Sequence, residues 1–518
     1  MLVHLARMGT AQKIVSVKAL GARGDGQVNN TAIFQKAIDD CHAAGGGTVL
    51  VEHGAYVTST LILKSNVSIQ VEQGAAIKAS TKMEDYTFSK GIYSTETDVP
   101  VLFYGEKLEN ITFCGRGLID GQAEHTWEPL REIDNFIATE TEIAKNAGIE
   151  MSRAYAKDPK VSLIYLTDCK NVTFRDLRLE RSPNWTVHLA NCENVLAVDL
   201  YIFSSLDKGV NADGLDIDGC KGVRVANCNI ITGDDAICLK STNKNGKYFP
   251  CQDVTVTNCT LISTSTALKI GTESHGDFIN IIFTNSTISN TNRGIGIFVR
   301  DGATVDRVMF SNLTIECNRK HFNWWGDGDP IRFVLLKRKP DSRLGMIKNV
   351  QVSNVVAKGQ GTCLIAGFAG KNISNINLSN VDITMEAEGL KDKRATAVLK
   401  VENVDNLVMD QVQLRFSSEN HEPKWTHLLH LNNIKGCKVN NSIFEHRKSD
   451  VKHPVISAVG VIDGIFTYNI SRNGKAVSMF HFAGNATSSI LLRGNIIEEG
   501  QRLFSTSEDV KPNLIKAL

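Results

Sequence analysis

Polar and apolar residues alternate in short runs along most of this 518-residue chain, and the runs recur every roughly two to three dozen residues, the period of a solenoid. Cys169, Cys192, Cys220 and Cys251 open four consecutive units, each followed three residues later by a valine: Val172, Val195, Val223 and Val254. Later units begin near Phe278, Val305, Ile347, Ile373, Val404 and Ile434. Each closes on an alternation such as Leu177-Arg178-Leu179 or Leu261-Ile262-Ser263, with Asn, Gly or Ser at the bends, as strand and turn chemistry require. One such unit cannot bury its apolar face alone. Stacked coils can, with Val, Ile and Leu inside and the Asn and Cys turns in register. The pattern therefore predicts an all-β fold, a parallel β-helix.

One segment has a different period. Ala32, Phe34, Ala37, Ile38 and Cys41 make one apolar face over Thr31 to Ala44, which predicts a helix with Thr31 as its cap. Such a helix would close the N-terminal end of the stack, where strand edges are otherwise open. Two segments interrupt the rhythm: Glu124 to Lys157, helical in part, and His321 to Arg343, rich in Trp, Gly, Arg and Lys. Insertions in a solenoid go to its surface and often shape a site. No linker or charge block divides the chain, so residues 15–518 are expected to form a single domain after a short extension, 1–14. Met1 to Gln12 is too short and broken to supply the apolar region of a signal peptide, and no apolar run has the length of a membrane span.

Charge narrows the choice of partner. With 57 Lys+Arg against 56 Asp+Glu, the formal charge of +1 provides no global field for nucleic acid or an anionic membrane, so no partner of either kind is expected. The twelve cysteines run from Cys41 to Cys437 without a CxxC pair, and their recurrence at one place in the repeats marks them as packing residues.

The chemistry is concentrated where carboxylates gather on neighbouring coils. In Asp234 to Lys240, Ile237 and Leu239 should point inward, leaving Asp234, Ala236, Cys238 and Lys240 outside. The same alternation turns His188, Asp216, Lys269 and Arg300 outward, with the small residues Ala236, Ala267 and Gly296 leaving room between them. Stacked in register, these residues set Asp213, Asp234 and Asp235 beside a cationic stripe. A glycosidic oxygen is a poor leaving group, so one carboxyl must be protonated to donate to it while another stays ionised to activate water. Adjacent carboxylates raise one another's proton affinity, which provides the protonated partner. The plainer readings are an Asp turn or structural calcium site, a solvated cationic face, and a His188 that only stacks in the wall.

A resemblance sharpens this picture. Leu20-Gly-Ala-Arg-Gly-Asp-Gly26, with Asn30 and Thr31, resembles the start of the pectin-degrading β-helix superfamily. Ser182-Pro-Asn-Trp-Thr-Val-His188, Asn211-Ala-Asp213, Gly233-Asp234-Asp235 and Gly271-Thr-Glu-Ser-His-Gly276 resemble glycoside hydrolase family 28, the polygalacturonases, rhamnogalacturonases and their relatives. The likeness runs from Val15 to Gly370 and implies a right-handed parallel β-helix. It implies Asp234 as general acid, Asp213 with Asp235 as the pair that orients water, and inversion at the anomeric carbon. It further implies a single chain working outside the cytoplasm, extracellular or periplasmic, with no organic cofactor and no metal.

The chain also departs from that family. Where polygalacturonases carry Gly-His-Gly it has Thr266-Ala267-Leu268, with His275 a few residues on; where they carry Arg-Ile-Lys it has Gly296-Ile297-Phe298, with Arg300 two residues beyond. The expected substrate contacts are His188, Lys240, Lys269, His275 and Arg300, with Phe298 and Trp325 (beside Trp324) stacking on a sugar, and Asn211 and Asp216 in support. The function expected is hydrolysis of a pectin-like or other acidic polysaccharide or oligosaccharide, rhamnogalacturonan-like substrates included. The two insertions would wall one end of a groove and so favour exo action. A β-helical lyase, with carboxylates on calcium and an Arg or Lys base, and a non-catalytic tailspike-like binding solenoid are the alternatives.

Overall fold

The structure, a computed structural model, describes residues 13–86, 88–89, 99–129, 142, 144–149, 154–320, 326–389, 391–417, 422–446, 453–472 and 476–518. Within them, forty strands join into one almost wholly parallel sheet that winds from Lys13 to Ala517 as a β-helix. The alternation seen in the sequence is what closes each coil around the core. In Phe278–Thr291, Ile281, Phe283 and Ile288 are buried while Ile282 between them is exposed. Ile281 lies over Val254 of the coil before and under Val308 of the coil after. Aromatic rings stack in such columns, Phe113 on Phe174 at 5.3 Å and Phe283 on Phe310 at 5.0 Å, and Phe333 from another face of the helix meets Phe310 across the core at 5.5 Å.

The bends are held by side chains chosen for their backbone. Asn66, Asn110, Asn171 and Asn194 all sit in the left-handed region, at φ 64, 58, 55 and 54°. That conformation costs an ordinary residue about 1–2 kcal/mol, and asparagine is one of the few that visits it readily. Each amide then donates to the one below, at 2.7, 3.0 and 2.8 Å, forming a ladder. A second ladder joins Asn285, Asn312, Asn354 and Asn380. Cysteines fill another column, where the Cys192 amide donates to the Cys220 sulfur at 3.3 Å.

The predicted cap forms as the helix Thr31–Ala43, which lays Phe34, Ala37, Ile38 and Cys41 on the open end of the stack. Ala32 faces outward, and the N-cap is Asn30 rather than Thr31. The Asn30 side chain is instead used to hold the preceding loop, accepting from the Arg23 amide at 2.8 Å and donating to the Arg23 and Val28 carbonyls.

The two expected interruptions differ. In the first, Trp127–Pro129 pairs antiparallel with Ala154–Ala156, and most of the segment expected to be helical lies outside the described residues. The second is a correction: Asp329–Leu335 is a strand of the stack in register with Arg293–Val299, because Ile331, Phe333 and Leu335 alternate into the core. Trp324 and Trp325 lie outside the described residues. Among the described residues, no helix is long and apolar enough to cross a membrane.

The ring column gives a direct test of how much the core depends on register. Phe310→Ala leaves a cavity between two stacked rings and should cost about 3–5 kcal/mol, seen as a lower denaturant midpoint by circular dichroism. A loss below about 1 kcal/mol would show that neighbouring coils collapse to fill the space.

Candidate active site

Eight strands in register make one face of the helix: Ser162–Thr167, Val187–Ala190, Leu215–Asp218, Ile237–Ser241, Thr266–Ser274, Arg293–Val299, Asp329–Leu335 and Cys363–Ala366. Their pairing aligns Tyr165, His188, Asp216, Cys238, Lys269, Gly296, Arg332 and Leu364 in a single outward column. Lys240 is the next outward residue of its own strand, opposite Asp218. Asp213, Asp234 and Asp235 sit on the turns that lead into these strands rather than within them. Two glycines let the turns meet. A Cβ on Gly214 would lie 2.4 Å from the Ala236 carbonyl, and one on Gly233 would lie 2.2 Å from the Ser205 carbonyl. One carboxylate oxygen from each of Asp213, Asp234 and Asp235 then falls within 4.8 Å of the others.

The three acids are held differently. Asp235 accepts from Lys269 Nζ at 2.5 Å, Ser265 Oγ at 2.8 Å and the Thr266 amide at 3.1 Å. Burial opposes its ionisation, but Lys269 and Lys240 outweigh that and hold it below the usual carboxylate range. Asp213 has one oxygen 3.5 Å from Lys240 and the other buried without a hydrogen-bond partner. Burial, then the charges of Asp216 and Asp234, push its proton affinity well up. Asp234 accepts from the Asn211 amide at 3.1 Å and from the Asp235 amide at 2.9 Å. Asn211, at φ 60°, thus supports Asp234 through its backbone. The cluster therefore pairs a carboxyl that keeps its proton, Asp213, with a carboxylate that does not, Asp235.

Lys240 ties the cluster together. Its ammonium lies 3.5 Å from each of Asp213, Asp216 and Glu273, and 4.1 Å from the centre of the Trp185 ring. Burial alone would discharge it; the surrounding carboxylates keep it protonated. Asp216, wholly buried beneath Lys240, is pushed up to about 8 chiefly by burial, with Lys240 opposing. Asp216 lies beneath Lys240 and does not line the cavity above the cluster. Three carboxylates this close are also a donor set for a cation, but Lys269 already occupies Asp235 and backbone amides occupy both oxygens of Asp234.

A cavity of about 590 Å³ opens over the cluster, lined by the three acids, Asn211, Lys240, Lys269, Phe298 and Arg300 from the expected set. It also takes in Trp185, Glu273, Arg293, Arg332, Arg338 and Arg394, which were not foreseen as contacts. Most of these cations are paired: Arg338 with Asp301 at 2.7 Å, Arg293 and Arg332 each with Asp329 at 2.8 Å. Arg300 differs. Among the described residues no carboxylate pairs with it, and its buried Nε has no hydrogen-bond partner. Two expected contacts are corrected. His188 is fully buried, bonded to Asp218 at 3.1 Å and flanked by Tyr165 and Trp185, so it braces the wall and does not line the cavity. His275 lies past a register shift in its strand, 4.0 Å from Asp301 and against Tyr248, also off the cavity. The expected contact Trp325 lies outside the described residues.

Comparison with known proteins agrees with this geometry. The model of the family described as "Glycosyl hydrolases family 28" matches residues 41–400. The Vitis vinifera protein named "Probable polygalacturonase" is 24% identical over 394 residues, 73% of this chain and 75% of its own. The exo-poly-alpha-D-galacturonosidase of Dickeya chrysanthemi is 25% identical over 55% of this chain and 51% of its own length. Among solved structures, the Thermotoga maritima exopolygalacturonase superposes with TM-score 0.61 at 23% identity, covering 78% of this chain and 93% of that one. The family 28 exopolygalacturonase of Yersinia enterocolitica gives 0.60 at 18% identity, covering 82% and 78%. The shared fold is the right-handed parallel β-helix.

The buried acids also set the pH dependence of stability. Asp216 binds its proton more tightly folded than unfolded, so its contribution is fully present below about pH 4, the unfolded value, and is lost as pH rises through about 8. Asp216→Asn removes this penalty. Its melting temperature relative to the parent should rise steadily between pH 4 and pH 8; a difference that is flat across that window would show Asp216 ionised throughout.

Proposed function

Because this chain belongs to glycosyl hydrolase family 28, we propose that it hydrolyses glycosidic bonds in a pectin-like acidic polysaccharide or its oligosaccharides, with Asp213, Asp234 and Asp235 as the reacting groups. The observation that carries this reading is the opposed proton affinity of Asp213 and Asp235 within one cluster. A proton kept within the cluster passes through Asp234 to the glycosidic oxygen as the bond to the anomeric carbon breaks. Water held between Asp213 and Asp235 gives its oxygen to that carbon and its proton to a carboxylate, which restores the starting charge.

Arg300, lacking an acidic partner, is the group best suited to take the carboxylate of a uronate. The relatives named as exo-acting favour attack from a chain end. So do Arg394 and Asp327, which meet at 3.2 Å from different coils and both line the cavity on the side of the later coils. Inversion is the outcome we favour on the family's pattern. The 4.8 Å carboxylate approach is below the ~6.5–9.5 Å typical of inverting enzymes and does not select it by itself. We read the enzyme as working as a single chain outside the cytoplasm, as the family resemblance implies.

Digestion of pectic oligosaccharides in heavy-oxygen water, followed by mass spectrometry, tests the reaction. Saturated products carrying one heavy oxygen are expected, with Asp234→Asn lowering kcat by about 10²–10⁴-fold. Unsaturated, unlabelled products would reveal a lyase instead. Proton NMR of the first product anomer reports inversion or retention.

The pH profile tests the role of Lys269. Without that ammonium, burial dominates and the proton affinity of Asp235 rises. In Lys269→Met the acidic limb of kcat/KM should move to higher pH, with a lower plateau; an unmoved limb would assign that ionisation to another group.

A further inference from the structure

The outward column of the catalytic face does not stop at Leu364. Strand pairing carries it on through Lys400, His430, Ser457, His481 and Ser505, one residue per coil. All but Lys400 lie beyond residues 41–400, the part matched by the family model. At ~4.8 Å per coil, His430 stands about 10 Å past Leu364 and His481 about 20 Å past it. Neither histidine lines the catalytic cavity, which Arg394 and Asp327 bound on this side.

Two more histidines join this stretch. The His427 ring lies 6.0 Å from that of His430 and 5.7 Å from that of His453, and its Nδ1 meets the Pro454 carbonyl at 2.8 Å. An N–H at Nδ1 leaves the lone pair of the neutral ring on Nε2. His481 Nδ1 meets Ser505 Oγ at 3.0 Å, while His430 Nδ1 is buried without a hydrogen-bond partner. Among the described residues only the acid cluster brings three ligand atoms within 4.8 Å of one another, so the histidines do not make a preassembled metal site. What they share is a charge gained in acid. Burial, then the charges of His430, His453 and His481, hold His427 down at about 4 against the Pro454 hydrogen bond. His430 is held below its ordinary value by burial and then by Lys400, with Glu402 of the same preceding coil opposing. Glu402 is the one carboxylate in the adjoining outward column over these coils, which goes on as Asn432, Val459 and Ala483. Protonating the rings therefore makes a positive patch with little to neutralise it.

We propose that His427, His430, His453 and His481, with Lys400, form a second binding surface for an acidic polysaccharide, one that holds the polymer in mildly acid solution and releases it towards neutrality. Charge complementarity identifies the partner. Uronate carboxyls keep their charge down to about pH 4, as ordinary carboxylic acids do, so between about pH 4 and pH 6.5 the polymer is an anion while the rings take up protons. Each bound carboxylate raises the proton affinity of the ring beside it, so binding draws protons from solution. Because the surface continues the catalytic face, a polymer held there raises the local concentration of chain ends at the cavity. The choice of an acidic polysaccharide rests on the substrate reading above; the charge gained in acid does not.

Calorimetry of polygalacturonate binding to full-length Asp234→Asn, used to suppress turnover, tests it while excess trigalacturonate fills the cavity. Affinity should be at least tenfold higher at pH 5 than at pH 7 and should fall with added salt. The dependence of the heat on the ionisation enthalpy of the buffer should show uptake of one or more protons. Replacing His427, His430 and His481 together by Gln should shrink the acid gain to less than twofold, and kcat/KM for trigalacturonate, read with Asp234 restored, reports the catalytic centre separately. Proton uptake is read on the unaltered histidines and so stands even if the triple variant fails to fold. Equal affinity at the two pH values, binding without proton uptake, or an acid gain that the triple variant keeps overturns the proposal and leaves hydrolysis standing. Tight binding of zinc chloride that the triple variant loses also overturns it, by assigning the histidines to a metal ion. Acid-dependent polymer binding with no cleavage of any pectic chain by the parent enzyme supports the surface and removes the hydrolytic reading.

Discussion

Register between coils is the constraint on which everything else in this molecule depends. In a parallel stack, a slip of one residue turns every inward side chain outward and every outward one inward. The Asn ladders prevent such a slip at the bends, since each amide finds its partner only at one offset. The rings of Phe283 and Phe310, paired in register on successive coils, oppose it in the core, because they stack only where they coincide. With register fixed, the outward column from Tyr165 to Leu364 follows without further specification, and the active-site face is a by-product of the pairing that forms the core.

That face concentrates charge which no isolated coil would tolerate. Asp213, Asp216 and Asp235 are nearly or wholly buried, as is Lys240, and a buried charge is stable only when well paired. Lys240 meets three carboxylates at one distance, so it lowers the cost of each without neutralising any one alone. Lys269 instead commits to Asp235. A shared ammonium beside Asp213 and a dedicated one on Asp235 accompany the opposed proton affinities of the two acids.

Much of this was legible in the sequence, and the limits have physical causes. The coil repeat, the N-terminal helix and the outward directions of His188, Asp216 and Lys269 follow from periodicity, which is local. The strand Asp329–Leu335 was hidden because its alternation is short and set among Trp, Gly and charged residues. His188 points outward as alternation requires, yet Trp185 and Tyr165 cover it, and no rule of alternation reports a neighbour's bulk. His275 fails for a different reason: its reading rests on nearness to the family's Gly-His-Gly position, and it falls just past the end of the strand Thr266–Ser274, beyond the reach of the alternation. Arg338 and Arg394 reach the cavity from turns, whose paths alternation does not describe. Of the missed cations only Arg332 could have been found, by extending the Lys269 column two coils further.

The architecture also separates reaction from recognition. The clustered carboxylates stand on turns locked by close backbone approaches at Gly214 and Gly233, where any side chain would collide with a carbonyl. The floor is built from strand residues whose backbone pairing is indifferent to the outward side chain, so Gly296, Phe298, Val334 and Leu364 can differ in chemistry without disturbing the turns. Adjacent strands lie ~4.8 Å apart, so carrying a charge in the next coil rather than the present one moves it by about the width of a sugar ring. In this column the cation passes from Lys269 to Arg332 with Gly296 between them. A stack of coils can therefore keep its turns fixed while the residues along its outer columns differ.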